Sequence, residues 1–581
     1  MRPLSQLTTI LSSIYCVFVV TLGVVIYISD IILQNTSIAE TFSIYLILIG
    51  FCYVVYLYVD IRLYLNKVKL VEVTRAFDRR CEHTAGFTTL LFNTSSTSTC
   101  STTSPTCEYF SPPSINSIQN SSSILSSLQQ YQQRHQKHDY CFDSGRHSGS
   151  FYLKTGAAGF CLGHLIHSGL LLGYQIVLLT KNGNNMKNTD NSYSCVNIPT
   201  VILDIVYPVY SFLQLYFIFK YSNVIINRNT DLARFGMMHC IASSLCFWIW
   251  TILRETMDSF THHYYKNKMH ETAVSQRPTS DDHCFNKFLG INQIYENISP
   301  YLYPFTVEYS ILIVGVLYII WRNIGYCIEN QNDSDRKGCS NPPPLTAENG
   351  FTSNLVIHAD CHSSNKGLFA GIIILVSSLI SIILFFLAIS NEEFIDDGLF
   401  INTITELILL ILMTISGMAA YRQISKLDIN PHPISLLDDL LLFICIPAFF
   451  LYAIFSIVPA VRAGNMINIV NIMLNVLQIL VQTPFIIDGL RRCSNSQQLR
   501  LEKPGRELIT FLVVCNVAMW IIETFEVKSN DLQGDAFDFY GQVLWTIISH
   551  LTVPLTMFYR FHSSVCLADI WKSAYEPANH L

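Results

Sequence analysis

Six polar side chains lie inside apolar stretches of this chain and form two similar sets of three. The sets are Gln214, Ser244 and Tyr309, and Gln482, Asn516 and Tyr559. Helical rise places the three members of each set, from three different stretches, near the middle of an apolar layer. Amide and hydroxyl groups without partners are costly in hydrocarbon, so they should bond to one another or to water. They indicate either a polar constriction in a pathway or contacts that hold helices together.

The residues around the two sets recur in the same order and with the same separations. They are Arg234 and Trp248, repeated as Arg506 and Trp520; Pro304, Tyr309 and Trp321, repeated as Pro554, Tyr559 and Trp571; and Gln214 and Phe217, repeated as Gln482 and Phe485. Such a match predicts that one helical unit is used twice along the chain.

Three ionisable side chains lie within or at the outer end of apolar stretches. The chain has twelve apolar stretches. Glu255 ends the fifth, centred near residue 246; Glu406 lies within the eighth, near 409; and His550 lies in the outer half of the twelfth, near 560. Carboxylates and imidazoles can take up and release protons near physiological pH. Snorkelling to the interface would explain Glu255, but the other two side chains are too short for their depth. We therefore expect a functional role for Glu406 and His550.

Other ionisable residues have a structural explanation. His164 and His167 lie on one helix face and are expected to pack with satisfied hydrogen bonds. Asp438 and Asp439 open the ninth stretch, where a carboxylate favours the helix dipole. Arg560 is expected to pair with a carboxylate or to reach the headgroups.

A histidine-rich segment follows the fifth stretch, in a predicted external loop. Its histidines are His262, His263, His270 and His283. Loop histidines can bind zinc, although solvated histidines without ligand geometry are the more frequent case. Cys195 and Cys284 also fall in predicted external loops and could form a disulfide. The remaining cysteines, of 18 in all, form no framework.

The composition places these residues in a membrane protein. The chain has 581 residues, of which 50% are hydrophobic and 13% charged. Apolar stretches long enough to cross a hydrocarbon core of roughly 30 Å recur along it. Twelve are found, centred near residues 20, 52, 168, 210, 246, 312, 378, 409, 450, 479, 517 and 560. The sequence predicts an all-α polytopic membrane protein with about twelve transmembrane helices in two repeated halves of six.

Basic residues predict the orientation and the domain boundaries follow from the stretches. The short flanks after the second, fourth and tenth stretches are rich in Lys and Arg, which favours the cytoplasm for them and for both termini. We expect helices one and two in residues 1–83, a disordered cytoplasmic Ser/Thr/Gln-rich insert in 84–150, helices three to six in 151–325, a cytoplasmic linker in 326–365, and helices seven to twelve in 366–581.

The chain contains no nucleotide-binding loop, paired metal motif or nucleophile elbow at a useful spacing. We therefore expect no cofactor, no enzymatic activity and no nucleic-acid partner. Movement across the protein should run downhill or by coupling to another gradient.

Several stretches resemble the otopetrin proton channels. They are residues 159–175, 232–250, 436–458, 503–526 and 539–576. The resemblance covers nearly all of the twelve predicted helices, and it is most specific at the C-terminal end. The long insert and the polar tracts suggest a divergent invertebrate member.

This resemblance implies a plasma-membrane homodimer whose subunits have two six-helix, barrel-like halves. It also implies inward proton flow on external acidification and block by external zinc. The family's constriction of Gln, Asn or Asp, and Tyr falls on the two sets of three. Its acidic residue on the fifth helix falls on Glu255, and its last-helix histidine falls on His550. With this resemblance we expect Glu255, His550 and Glu406 to serve pH sensing or proton permeation, with Glu255 and His550 facing one another near the outer mouth. Ser244 departs from the pattern, because the family carries a carboxylate or an amide there.

Two other classes of function remain open at this point. A proton-coupled solute transporter of six-plus-six design would also have parallel repeats and a central linker. It would be expected to carry a short basic Gly/Asp motif where this chain has its long insert. A membrane-embedded enzyme using His550 and Glu255 as an acid/base pair would need more convergent polar groups around a substrate-sized cavity.

Overall fold

The computed structural model describes residues 3–33, 37–92, 139–142, 151–185, 198–272, 289–325, 365–389, 394–430, 436–530 and 535–577. Long helices dominate these residues, as the apolar composition requires, since a helix satisfies its own backbone groups in lipid. Eleven of them are long and apolar enough to cross a membrane, by length and composition. The prediction of an all-α polytopic membrane protein is confirmed.

The first six long helices precede the central linker. They are α1 (Pro3–Ile32), α2 (Ile38–Phe92), α3 (Phe151–Asn185), α4 (Ile198–Tyr221), α5 (Thr230–Thr272) and α6 (Leu289–Arg322).

The second group contains six long helices and two short ones. They are α7 (Asn365–Ile389), α8 (Ile395–Ile424), α9 (Leu436–Ala463), α10 (Met466–Leu490), the short α11 (Gln497–Glu502), α12 (Arg506–Asn530), the short α13 (Asp535–Tyr540) and α14 (Gln542–Ser573).

Each group closes into a ring. In the first ring, neighbouring helices contact one another in the order α1, α2, α4, α3, α6 and α5, and α5 returns to α1. In the second ring the order is α7, α8, α10, α9, α14 and α12, and α12 returns to α7. The order of contacts is thus the same in both rings, as a doubled unit would require.

The two rings meet through helices from one side of each. Helices α3, α5 and α6 of the first ring contact α9, α12 and α14 of the second. Accordingly, 78% of the most apolar window of α6 is buried, against 17% for that of α1. Helix α1 therefore turns most of its apolar side chains outward, and α6 lies inside the molecule.

The twelfth predicted span corresponds to α14, which has 32 residues but is not among the eleven apolar helices. It carries many polar side chains, including His550, Arg560 and His562, and 23 of its 32 residues are buried by neighbouring helices. A helix shielded from lipid in this way does not need an apolar exterior.

Two pairs of short strands tie loops together next to the rings. Strand β1 (Tyr140–Phe142) pairs with β2 (Val224–Ile226), and β3 (Asp428–Ile429) pairs with β4 (Arg492–Cys493), both antiparallel. Tyr140 donates a hydrogen bond to Asp60 of α2 at 2.5 Å. Burial raises the pKa of the Tyr140 hydroxyl, so it stays protonated and remains a donor across the physiological range.

Candidate functional site

The second ring contains two amides that bond to each other in both directions. Gln482 of α10 donates from Nε2 to Asn516 Oδ1 of α12 at 3.0 Å, and Asn516 Nδ2 donates to Gln482 Oε1 at 3.1 Å. Asn516 Nδ2 also donates to the Leu512 carbonyl at 2.9 Å. Both amide side chains are buried. The pair joins α10 to α12 and uses both hydrogens of the Asn516 amide.

Tyr559 brings a third helix to the same level. Its hydroxyl shares a hydrogen bond of 2.8 Å with Thr483 Oγ1, and Thr483 directly follows Gln482 on α10. The Tyr559 ring meets Phe449 of α9 edge to face, with centroids 5.2 Å apart. The structure therefore brings the predicted set of Gln482, Asn516 and Tyr559 together.

Arg560, the residue after Tyr559, has no exposed surface and lies at the centre of a charged network. Its Nε donates to Glu523 Oε1 of α12 at 3.1 Å. Its two other nitrogens donate at 2.6 Å, Nη1 to Gln478 Oε1 and Nη2 to Asn475 Oδ1. The expectation that Arg560 pairs with a carboxylate is confirmed. Removing one partner of such a buried pair typically costs about 3–5 kcal/mol.

A polar stripe on α10 connects these groups to Glu406. Asn471 donates to Glu406 Oε2 of α8 at 2.9 Å, and Gln478 donates to Gln482 Oε1 at 2.7 Å. With Asn475, these α10 residues recur every three or four positions and so share one face. Sequence reasoning singled out Gln482 alone on this face, although the helical spacing was a signal that could have found the other three.

The matching set in the first ring is more weakly bonded. Gln214 of α4 donates from Nε2 to Ser244 Oγ of α5 at 3.4 Å, which replaces the two-way amide pair by one long hydrogen bond. Tyr309 of α6 donates to the carbonyl of Ser211 on α4 at 2.5 Å. All three predicted side chains are buried. Gln214 and Ser244 are in contact, and Tyr309 bonds to α4 separately.

The charged network of the second ring has no equivalent at the corresponding places of the first. Tyr207 and Tyr210 of α4 precede Gln214 at the same separations at which Asn475 and Gln478, the two amides that bind Arg560, precede Gln482. Ser310 follows Tyr309 as Arg560 follows Tyr559. Thr251 lies as far after Arg234 as Glu523, the carboxylate partner of Arg560, lies after Arg506. The first ring is therefore lined by aromatic and hydroxyl groups at this level.

A chain of hydrogen bonds leads inward from Glu255 in the first ring. Ser299 donates to Glu255 Oε2 at 3.1 Å, and His167 Nε2 lies 3.0 Å from Ser299 Oγ. Thr306 Oγ1 then lies between two histidines, 3.5 Å from His167 Nδ1 and 3.1 Å from His164 Nδ1. All five residues are buried.

The chain of hydrogen bonds ends at His164, next to Tyr309 of the predicted set. The His164 ring is parallel to the Tyr309 ring, with centroids 5.8 Å apart. His167 is a packing residue with both ring nitrogens hydrogen-bonded, as expected, whereas His164 bonds through Nδ1 alone and its buried Nε2 has no partner among the described residues. The structure adds that the two histidines lie between the Glu255 carboxylate and Tyr309 of the predicted set, which helix-face reasoning on α3 alone could not show.

His550 lies at the junction of the two rings. Its Nδ1 is 3.0 Å from Thr256 Oγ1 of α5, and its ring meets Tyr303 of α6 edge to face at 5.4 Å. Thr256 directly follows Glu255. Neighbouring residues of α5 thus carry the two contacts: Glu255 bonds toward α6, and Thr256 bonds to the histidine on α14.

Glu308 is a buried carboxylate that sequence reasoning missed. It directly precedes Tyr309, has no exposed surface, and accepts a hydrogen bond from Trp520 Nε1 of α12 at 3.2 Å. Sequence reasoning also missed the ion pair between Arg254 Nη1 and Asp204 Oδ1, which are 3.3 Å apart. Charged residues inside apolar stretches were the available signal for both.

The predicted loop features fall outside the described side chains. The zinc candidates His262, His263 and His270 lie in α5, which continues as a helix to Thr272 where the sequence predicted a loop. Their side chains, like the residues His283, Cys195 and Cys284, are outside the described part of the structure. Both features remain predictions.

Fold and site together define a class of protein: a polytopic helical membrane protein whose two helical rings each contain buried, hydrogen-bonded polar groups. Within that class, the Otopetrin family model matches residues 152–284 and 266–561. This chain belongs to the otopetrin family.

Relatives of known name agree with this assignment. The chain is 34% identical to Proton channel OtopLc of Drosophila melanogaster over 460 residues, which cover 74% of this chain and 28% of that protein. It is 21% identical to Proton channel OTOP1 of Danio rerio over 504 residues, covering 73% and 79% of the two chains. It is 23% identical to Proton channel OTOP2 of Homo sapiens over 497 residues, covering 73% and 82%. These names denote proton channels, not enzymes. The chain spans 28% of the length of the Drosophila relative.

Proposed function

We propose that this protein is a proton-selective channel that passes protons into the cytoplasm when the external medium is acidified. The otopetrin membership and the names of the relatives support the activity. A channel needs no cofactor, in agreement with a sequence that contains no nucleotide-binding motif.

The observation that carries the proposal is the buried chain from Glu255 through Ser299, His167, Thr306 and His164. Every neighbouring pair in it lies within 3.5 Å. Hydroxyl and imidazole groups both donate and accept, so a proton can pass along such a chain by successive exchange of hydrogen bonds. A row of buried groups with this capacity supports proton movement rather than uptake of a larger solute.

The second ring offers a separate polar line. It runs along α10 from the contact with Glu406, past the Arg560 network, to the pair of Gln482 and Asn516. The fixed guanidinium would repel a proton at that level, so conduction there would have to pass the ion pair with Glu523. No charged group stands at the corresponding place of the first ring.

We propose that both termini face the cytoplasm of a cell with this protein in its plasma membrane. The basic residues after α2, α4 and α10 support this orientation, since short cytoplasmic flanks are enriched in Lys and Arg. Glu255, Glu406 and His550 then lie toward the outer side, where external acid reaches them first. The family resemblance also supports a homodimer and block by external zinc.

Whole-cell recording tests the activity directly. With only non-permeant ions besides protons, the reversal potential should shift by about 59 mV per pH unit of gradient, the slope for one charge. External acidification should increase inward current in transfected cells and not in mock-transfected cells. A reversal potential that ignores the pH gradient would contradict a proton channel, and a current that requires an added solute would favour a coupled transporter.

A further inference from the structure

Three side chains with metal-ligating atoms meet between α9 and α14, away from the chain of Glu255. Asp438 lies in the first turn of α9, and His562 and Cys566 lie one turn apart on α14. Their ligand atoms all lie within 4.8 Å of one another. His562 Nε2 is 3.5 Å from Cys566 Sγ and 3.7 Å from Asp438 Oδ1.

These separations suit one small metal ion. Zinc binds histidine nitrogen, carboxylate oxygen and thiolate sulfur at about 2.0–2.3 Å, so tetrahedral ligand atoms stand roughly 3.3–3.7 Å apart. The measured distances from Nε2 therefore need little adjustment. When the Cys566 thiol donates to His562, Nε2 is unprotonated, which is also the tautomer that a metal ion requires.

We propose that Asp438, His562 and Cys566 form a Zn²⁺ site with a fourth position open to water. An imidazole with a thiolate selects borderline or soft ions over Ca²⁺ and Mg²⁺, which prefer oxygen ligands alone. Binding displaces the thiol proton to solvent, and the thiolate and the carboxylate together balance the charge of the ion.

The site has its exposed edge at Asp438, at the end of the bundle where α9 begins. The Asp438 side chain is 13% exposed, whereas that of His562 is 1% exposed. Next to it, Asp439 is paired with Arg491 at 2.9 Å, so the neighbouring carboxylate is already neutralised. In the orientation proposed above, on which this step rests, that end faces the cytoplasm.

A metal ion here would cross-link α9 to α14 one turn from Tyr559 and Arg560. Both of these side chains depend on the position of α14 for their contacts with α10. Bound Zn²⁺ should therefore restrict movements of α14 and lower the current when it is applied from the cytoplasmic face.

Cobalt substitution tests the site without relying on conduction. Purified full-length protein in detergent should bind Co²⁺ with a thiolate-to-cobalt charge-transfer band that added Zn²⁺ removes. Cys566→Ser should abolish the band, and His562→Gln should weaken Co²⁺ affinity at least tenfold. Cys445→Ser is the matched control: Cys445 is a buried α9 cysteine whose thiol bonds to the Leu441 carbonyl at 3.2 Å, a bond that serine can retain. Size-exclusion profiles establish that the variants are folded.

The outcomes separate this site from the proposed function. A missing band in the wild-type protein, or a band unchanged in folded Cys566→Ser, would overturn the metal site. Inside-out patches then test the effect on current: cytoplasmic Zn²⁺ should inhibit wild-type and Cys445→Ser channels, and should not inhibit Cys566→Ser. Equal inhibition of all three would overturn the regulatory role. A cobalt band in a protein that passes no proton current would refute the channel and leave the metal site standing.

Discussion

At the scale of single residues, Asn516 and Ser244 mark a difference between the two predicted sets. The amide of Asn516 makes two hydrogen bonds with Gln482 and one with its own helix, whereas the Ser244 hydroxyl accepts a single bond of 3.4 Å from Gln214. Both positions are buried. The second ring is therefore closed more firmly at this level than the first.

Leucine at the two positions should have unequal effects. Asn516→Leu removes the acceptor of Gln482 Nε2, while Gln482 Oε1 keeps its hydrogen bond from Gln478. We therefore expect a loss of about 1–3 kcal/mol of stability and a clear fall in surface-normalised current. Ser244→Leu loses one weak bond and should destabilise less. Proton current divided by surface expression measures the comparison, and thermal unfolding in detergent measures stability. Unchanged currents in both variants at normal expression would leave these residues as contacts that hold helices together.

At the scale of helices, close approach of α2 and α5 depends on one glycine. A Cβ atom at Gly236 of α5 would lie 2.2 Å from Cε2 of Tyr53 on α2. The Tyr53 ring is buried, and its hydroxyl donates to the Ala233 carbonyl at 3.3 Å, which limits its freedom to move aside. The contact between these helices thus requires a residue without a side chain at position 236.

Alanine at Gly236 should separate the helices locally. We expect Gly236→Ala to destabilise the protein by about 1–3 kcal/mol, as overpacking generally does. Gly159→Ala on α3 is the matched control, because a Cβ there meets nothing within 4 Å and the change should be neutral or slightly stabilising. Melting temperatures in detergent compare the two variants. If Gly236→Ala melts at or above the temperature of Gly159→Ala, the helices are not held at this distance.

At the scale of the whole molecule, a contact that includes the His550 imidazole joins the two rings. Thr256 of the first ring contacts His550 of the second at 3.0 Å, and Thr256 adjoins the Glu255 that begins the buried chain. We therefore expect protonation of Glu255 or His550 to affect the other residue through a shift of α5.

Glu255 and His550 should consequently behave as coupled sites. We expect Glu255→Gln and His550→Gln each to shift the pH dependence of the current, and the double variant to differ from their sum by about 0.5–3 kcal/mol. Thr256→Val, which removes the hydroxyl next to the imidazole, should act in the direction of His550→Gln. Current against external pH gives the curves. Curves that overlay wild type, or single effects that simply add, would place the acid response elsewhere.

Much of this protein was determined by its sequence alone. Apolar stretches of helical length require buried backbone hydrogen bonds, so they specify an all-α membrane protein whatever the packing. Recurring residues at equal separations predicted Gln482, Asn516 and Tyr559 as one set. Helical rise places these residues, on three different helices, at a similar depth in the membrane, where side chains can meet.

Tertiary structure decided which of these groups touch. His164 and His167 connect to Glu255 only because Ser299 and Thr306 of α6 face them, and Arg560 selects Glu523 only because α12 lies beside α14. The cluster of Asp438, His562 and Cys566 joins residues far apart in the chain. Contacts between helices depend on how the helices are arranged around each ring, and the periodicity of a single helix contains no information about its neighbours.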